Sequence, residues 1–224
     1  MLGTIVNALA ICLGTAIGVF WRSGISNKFK ETSVAALGLA IVLIGLKGAW
    51  GTTNELILIA SLVIGGLIGE KLDLEARLNQ VGQRAEKWLG NGSNVGEGFV
   101  TATLVYCVGA MAIMGALQSG LQGDHSTLFA KSMLDGISSI FFASALGAGV
   151  ALSAISVFVY QGAITLGARS VSVWLSASMI TEMNAVGGLL VLAIGLNILD
   201  IKQIRVGNLL PAIPIAALLA RIFA

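Results

Sequence analysis

Long apolar stretches separated by short polar segments form the main pattern of this chain. A transmembrane helix needs about 20 apolar residues, with a range of about 17–25. Most of the apolar stretches have a length near this range, so they predict helices that cross a bilayer. These stretches cover residues 2–21, 33–50, 55–69, 98–117, 128–168, 179–199 and 209–223.

The stretch 128–168 is too long for one span. As a helix it would measure roughly 60 Å, about twice the thickness of a bilayer core. We expect the chain to turn back near Gly147-Ala148-Gly149. The sequence therefore predicts an all-α polytopic transmembrane bundle of about eight spans. Seven spans are the alternative, if this stretch holds one span and a re-entrant segment.

The composition supports a membrane protein. Of the 224 residues, 56% are hydrophobic and 11% are charged, and the mean hydropathy is +0.92. A soluble protein carries about 25% charged residues, so this chain has too few charges to cover a surface in water. A disordered chain and a secreted disulfide scaffold are excluded. A net charge of +2 without clustered Lys or Arg excludes a nucleic-acid binder.

The distribution of Lys and Arg predicts the orientation. With eight spans, nine of the 13 basic residues face one side and four face the other. The side with nine is predicted to be cytoplasmic, so both termini are expected outside the cytoplasm. The nine are Arg22, Lys28, Lys30, Lys71, Arg77, Arg84, Lys87, Lys202 and Arg205, and the four are Lys47, Lys131, Arg169 and Arg221.

The charged segment 70–89 is not a span. Its apolar residues recur at spacings of 3 and 4, which places them on one helical face. We predict an amphipathic helix that lies on the cytoplasmic surface of the membrane. A helix that packs beneath the bundle as a brace is the alternative. The apolar face consists of Leu74, Leu78, Val81, Ala85 and Trp88.

Two spans share a pattern 150 positions apart. Gly38 and Gly45 in the second span correspond to Gly188 and Gly195 in the seventh. Spans one to three then match spans six to eight in the opposite orientation, as in the inverted repeats of secondary transporters. Two unrelated helices of similar composition are the alternative. The predicted parts of the single membrane domain are a first three-helix repeat (1–69), a helix and linker (70–97), two central spans (98–147) and a second three-helix repeat (148–224).

Ionisable residues within the spans are candidates for function, because a charge at bilayer depth costs about 2.5 kcal/mol or more. Lys131 and Asp135 are spaced i, i+4, so their side chains meet on one helix face. The pair either locks helices together or opens when Asp135 takes up a proton or a cation. Glu182 is either a charge that favours a helix N-terminus or an ion or proton site at the outer mouth.

Amide and hydroxyl side chains add further polar groups. Asn7 lies in the first span and Asn184 in the seventh. They either form hydrogen bonds between helices or line the path of a solute. Other polar residues of the spans are Gln118, Ser153, Ser156, Tyr160, Gln161 and Thr165.

The sequence contains no motif of an enzyme. It has no GxxxxGK[ST], HExxH, CxxC or GxSxG pattern. One histidine and two separated cysteines make a soft-metal site unexpected. We therefore expect no cofactor, no metal and no enzymatic activity. The small-residue pairs Gly14/Gly18 and Gly65/Gly69 leave two partners open, a helix of the same chain or a homodimer.

Several stretches resemble the YqgA/YdfK-like family of bacterial inner-membrane proteins. They are CVGAMAIMGA at 107–116 followed by GDH at 123–125, KSMLDGI at 131–137, FASALG at 142–147, VGGL at 186–189 and GLN at 195–197. The resemblance extends over nearly the whole chain and implies an all-helical protein of the bacterial inner membrane. It implies no activity beyond a suggested role in transport, and it assigns no functional residue.

The intramembrane charges and the repeat together predict transport or conduction of a small solute or ion. In this mechanism Asp135 and Glu182 bind a cation or proton, Lys131 is the counter-charge, and Asn7 and Asn184 line the path. The expected partners are the lipid bilayer and the solute or ion. The alternative from another class is a non-transporting membrane scaffold or accessory subunit that binds a partner protein.

Overall fold

The computed structural model describes residues 1–22, 27–77, 80, 95–107 and 110–223. Helices account for nearly all of these residues, and no strand occurs among them. The all-helical prediction is confirmed. The helices are α1 (Leu2–Arg22), α2 (Asn27–Ala49), α3 (Glu55–Leu72), α4 (Val95–Cys107), α5 (Ala110–Leu121), α6 (Ser126–Leu146), a 3-10 helix (Ala148–Leu152), α7 (Ser153–Leu166), α8 (Ala168–Trp174), α9 (Ala177–Ile198), α10 (Val206–Leu209) and α11 (Ala212–Phe223).

Within the described ranges, four helical segments are long and apolar enough to cross a membrane: Leu2–Trp21, Ala148–Leu166, Ala177–Ile198 and Val206–Phe223. A fifth is added if α4 and α5, which are bent by 60° from each other, form one broken span. The apolar helix α6 carries Lys131 and Asp135, which lower its hydropathy. The described residues therefore contain four or five candidate membrane spans, and the number eight stays a prediction.

The long apolar stretch 128–168 is interrupted where the sequence predicts a break. α6 ends at Leu146, and Gly147 follows with a φ of 86°. This left-handed conformation favours glycine, because a Cβ would clash there. A 3-10 helix over Ala148–Leu152 then leads into α7. The glycines thus separate two helices, both of which pack against α1.

The chain forms two compact units, each built from segments distant in sequence. Unit 1 comprises Met1–Val34, Gln80–Cys107 and Met111–Ser172. Unit 2 comprises Ala35–Asn79, Val108–Ala110 and Val173–Ala224. The predicted division into two three-helix repeats and a central pair stays a prediction.

Close contact between α1 and α6 organises unit 1. Gly14 lies against the carbonyl of Gly136, and Gly18 lies against the carbonyl of Ile140, so a Cβ at either glycine would collide with backbone. Small residues permit such an approach where lipid provides no hydrophobic force between helices. The Gly14/Gly18 pair therefore serves packing within the chain.

Two helix contacts in unit 2 also depend on glycines that lie against backbone. Gly65 lies against the backbone of Ala212, and Gly69 lies against the carbonyl of Asn208, which joins α3 to α10 and α11. Gly45 of α2 lies against the carbonyl of Gly188 in α9. These glycines, too, pack within the chain. A small-residue row on α11 is buried at Ala212, Ala216, Ala217 and Ala220.

A polar cluster follows the end of α3. Glu70 accepts hydrogen bonds from Arg205 Nη1 and Asn208 Nδ2, each at 2.6 Å. Asn208 Oδ1 accepts from the backbone N–H of Glu75 at 2.8 Å, and Glu75 Oε2 accepts from that of Gly207 at 2.6 Å. These bonds hold the start of segment 70–89 against α10. Most of the amphipathic helix predicted there lies outside the described residues.

Candidate functional site

A buried ion pair on α6 forms the centre of the candidate site in unit 1. Lys131 Nζ lies 2.5 Å from Asp135 Oδ2, and the side chains are 8% and 9% exposed. The helix places the two side chains one turn apart on the same face, as the i, i+4 spacing predicts. The face carries both charges into the interior of unit 1.

Two amide side chains extend the pair towards neighbouring helices. Asn7 of α1 donates from Nδ2 to Asp135 Oδ2 at 3.0 Å. The same Nδ2 donates to Gln161 Oε1 of α7 at 3.4 Å. Both amide residues have no exposed surface. Three helices thus contribute to one polar cluster inside an apolar bundle.

Tyr106 of α4 covers another side of the pair. Its ring centroid lies 5.8 Å from Lys131 Nζ, within the range of a cation–π contact. Its hydroxyl pairs with Ser139 Oγ at 2.8 Å, and Ser139 also donates to the carbonyl of Asp135 at 2.7 Å. Phe142 stacks on the Tyr106 ring at a centroid distance of 5.8 Å.

The electrostatics of this cluster are those of a neutral pair in a medium of low dielectric constant. Each charge alone would bear a large desolvation cost, which its partner offsets. Protonation of Asp135 would remove the negative charge and with it the Coulomb attraction that holds the Lys131 ammonium beside the Tyr106 ring. The pair is therefore an arrangement in which a proton or a competing cation changes the local contacts.

The other predicted acid, Glu182, lies in unit 2 and is fully buried. Its Oε2 accepts from Thr52 Oγ1 at 2.6 Å. Its Oε1 accepts from the backbone N–H and the hydroxyl of Thr53, at 2.8 and 2.9 Å, and from the backbone N–H of Asn54 at 3.2 Å. Four donors therefore hold this carboxylate against the loop between α2 and α3.

Asn184 also lies in unit 2. It is half-buried, and its backbone carbonyl faces Gly48 of α2. The five predicted site residues are thus divided between the two units. Asn7, Lys131 and Asp135 meet in unit 1, while Glu182 and Asn184 belong to α9 in unit 2.

Two residues of the unit 1 cluster, Gln161 and Tyr106, are not among the five predicted site residues. Gln161 is one of the polar residues that the sequence places in a span, but only the fold brings it to Asn7. Tyr106 is missed by sequence reasoning, and a phenol within an apolar run is the signal that points to it. No group of three or more His, Cys, Asp or Glu side chains that could hold a metal ion occurs in the described part of the chain.

Comparisons with known proteins cover nearly the whole chain. Residues 2–221 match the family described as "Protein of unknown function (DUF554)". The chain is 37% identical over 217 residues to the "Uncharacterized membrane protein YdfK" of Bacillus subtilis (strain 168), covering 95% of this chain and 93% of that protein. It is 30% identical over 222 residues to the "Uncharacterized protein YqgA" of Escherichia coli (strain K12), covering 96% and 94%.

No solved structure matches the chain. The two relatives confirm the resemblance that the sequence motifs indicate, and YdfK is named a membrane protein. Neither name gives an activity, so a function has to be inferred from the residues of the chain itself.

Proposed function

Because the chain belongs to the DUF554 family of unknown function, we propose an activity from its own buried polar groups: transport or conduction of a small solute or ion across the membrane. The pathway runs through unit 1 beside the Lys131–Asp135 pair. The protein performs no covalent chemistry in this proposal, and its partners are the bilayer and the transported species.

The observation that carries the proposal is the burial of both charges beside two amides. Intramembrane ionisable groups are costly and, as a rule, lie on pathways of ions, protons or substrates. Asp135 accepts from Lys131 and Asn7 on the same oxygen, Oδ2. A proton or cation that competes for this carboxylate weakens its contact with Lys131 on the same helix and its hydrogen bond from Asn7, which links α6 to α1.

A local symmetry in unit 2 supports the predicted inverted repeat, a feature of secondary transporters. Gly45 packs on Gly188, and a Cβ on Gly195 would stand 3.0 Å from the carbonyl oxygen of Gly38. α2 and α9 therefore run antiparallel. Residues equivalent at an offset of 150 occupy reciprocal places in this contact, as a two-fold axis in the membrane plane would require.

Glu182 has a narrower role in the proposal. Since four donors from the α2–α3 loop surround its carboxylate, a cation or proton that binds there has to displace Thr52 or Thr53. Such a displacement would loosen the loop that begins α3. Asn184, two residues further along α9, stays a predicted lining residue.

The test is flux into liposomes that contain the purified full-length protein. Wild type is expected to move at least one ion or small solute faster than empty liposomes do. Asp135→Asn removes the charge and keeps the shape, and it is expected to abolish that flux and to lower the melting temperature, because Lys131 loses its counter-charge. Asp124→Asn, at an exposed acid just before α6, is the matched control and should transport like wild type.

A folded wild type without flux of any ion or small solute would contradict transport and favour the scaffold alternative. Equal flux by wild type and Asp135→Asn would contradict the role of the ion pair.

A further inference from the structure

Unsatisfied polar groups are concentrated in unit 1. Six buried side-chain atoms in the described part of the chain lack a hydrogen-bond partner, and all six belong to this unit. Five of them lie on α1 and α7, and the sixth is Thr103 Oγ1 on α4. A buried polar group without a partner costs free energy, so their accumulation along one helix pair calls for a physical reason. The five are Thr4 Oγ1, Asn7 Oδ1, Thr15 Oγ1, Gln161 Nε2 and Thr165 Oγ1.

These five residues form what we call the polar seam. Thr4, Asn7 and Thr15 lie on one side of α1, because Asn7 is three positions and Thr15 is eleven positions, about three turns, from Thr4. Gln161 and Thr165 share a face of α7 for the same reason. The hydrogen bond from Asn7 to Gln161 shows that the two faces meet.

The directions of the helices show that the polar seam extends along α1 and α7. α6 runs parallel to α1, since Gly3 lies against Leu128 and Gly18 against Ile140. After the 3-10 helix, α7 returns along α1, so Thr165 lies towards the same end as Thr4. From Thr4 to Thr15 the seam spans roughly 16 Å, about half of a bilayer core.

The free donors and acceptors of the polar seam limit the class of ligand that fits it. Asn7 Nδ2 has to face the acceptor Asp135, which leaves Asn7 Oδ1 free as an acceptor, and Gln161 then presents Oε1 to Asn7 and leaves Nε2 free as a donor. The threonine hydroxyls act as either. A cation would meet the N–H hydrogens of Gln161, and an anion would meet the oxygen of Asn7.

The charges next to the seam add to this argument. Lys131 and Asp135 neutralise each other at 2.5 Å, so the seam has no net charge to attract an ion. A neutral molecule with both donors and acceptors satisfies the free groups that it reaches at each point along the seam.

We propose that the polar seam binds and passes a small uncharged solute that carries hydroxyl or amide groups. This inference rests on the proposed transport function and specifies its substrate class. The Lys131–Asp135 pair then serves as the contact that opens and closes beside the solute rather than as its binding site.

The test uses stopped-flow light scattering on liposomes with the full-length protein, with glycerol and urea as probes. Wild type is expected to raise the permeability to at least one probe above that of empty liposomes. Thr4→Val with Thr165→Val keeps the shape and removes two free hydroxyls. A hydrogen bond contributes about 1 kcal/mol net, so the double variant is expected to lose at least roughly fivefold in permeability.

The melting temperature distinguishes this proposal from a purely structural role of the two hydroxyls. If they only stabilised the fold, their removal would lower the melting temperature. Valine relieves the burial of an unsatisfied hydroxyl, so the double variant should melt at the same or a higher temperature than wild type while it transports less. Ser132→Ala is the control, because this buried hydroxyl on α6 already donates to the carbonyl of Leu128. It should leave the permeability unchanged.

Three results would overturn the inference. The first is permeability of the double variant equal to that of wild type, and the second is a loss of permeability that follows a loss of stability. The third is flux of Na⁺, K⁺ or Cl⁻, measured with ion-sensitive dyes, without flux of glycerol or urea; this result would leave the proposed transport function intact. Absence of all fluxes would contradict the transport function itself.

Discussion

At the scale of single residues, the molecule holds two acids in opposite ways. Asp135 faces a lysine at 2.5 Å, whereas Glu182 is held by neutral hydroxyl and backbone donors. The first arrangement depends on a counter-charge that can move, because a lysine side chain is long and flexible. The second depends on two threonine hydroxyls and two backbone N–H groups of the short loop that leads into α3. We therefore expect Asp135 to be the responsive acid and Glu182 to be the anchoring one.

The ion pair makes a prediction about stability. Lys131→Met leaves the Asp135 carboxylate buried without a counter-charge, and loss of one partner of a buried pair costs about 3–5 kcal/mol. Lys131→Met with Asp135→Leu should cost less than the sum of the two single changes, because the second change removes the unpaired charge. Denaturant unfolding in detergent measures these free energies. Additive losses would show that the two side chains do not interact.

Glu182 makes a separate prediction. Glu182→Gln replaces one acceptor oxygen by an NH₂ group that faces hydroxyl and backbone donors. Leaving buried donors unsatisfied costs about 1–3 kcal/mol, so the variant should unfold at lower denaturant concentration. Glu55→Gln, at an exposed acid in the first turn of α3, is the control and should have little effect. If both variants unfold alike, the four hydrogen bonds contribute nothing to stability.

At the scale of the helices, glycines determine which faces meet. Gly14 and Gly18 permit contact with the backbone of α6, and this contact brings Asn7 within reach of Asp135. Gly65 and Gly69 permit the corresponding contact of α3 with α10 and α11. Because these approaches involve backbone atoms rather than the ends of flexible side chains, the neighbouring helix cannot accommodate an added methyl group by a change of rotamer.

This packing predicts different effects for two alanine substitutions. Gly14→Ala would place a Cβ into the carbonyl of Gly136 and separate α1 from α6. Overpacking of this kind costs about 1–3 kcal/mol, and the separation should also weaken transport. Gly162→Ala meets only the end of the Met1 side chain at 3.4 Å and should be tolerated. Melting temperatures in detergent compare the two, and equal stability would argue against close packing at Gly14.

At the scale of the whole molecule, the sequence predicts classes of feature better than their arrangement. The membrane character, the break near Gly147 and the pairing of Lys131 with Asp135 follow from local hydropathy, glycine and i, i+4 spacing. The meeting of Asn7 with Gln161, 154 positions apart, depends on tertiary packing that periodicity does not encode. The same holds for the separation of Glu182 and Asn184 from the other site residues.

The division into two units also depends on tertiary packing that hydrophobic periodicity does not encode. Each unit joins segments from the beginning, middle or end of the chain, and helices rich in Ala, Leu, Ile and Gly carry little information in their sequence about which neighbour they choose. Only the small-residue pairs mark a contact face in advance, and they do not name the partner.

The most direct test of the account exchanges the two charges. Lys131→Asp with Asp135→Lys keeps an ion pair at the same spacing, so the protein should still fold, and its melting temperature in detergent is measured alongside the flux. It also moves the carboxylate one turn away from Asn7 and places an ammonium where Asn7 donates. If the pair acts in transport, liposomes with the exchanged protein will show no flux above background for a species that wild type moves. Flux equal to that of wild type would show that the pair has only a structural role.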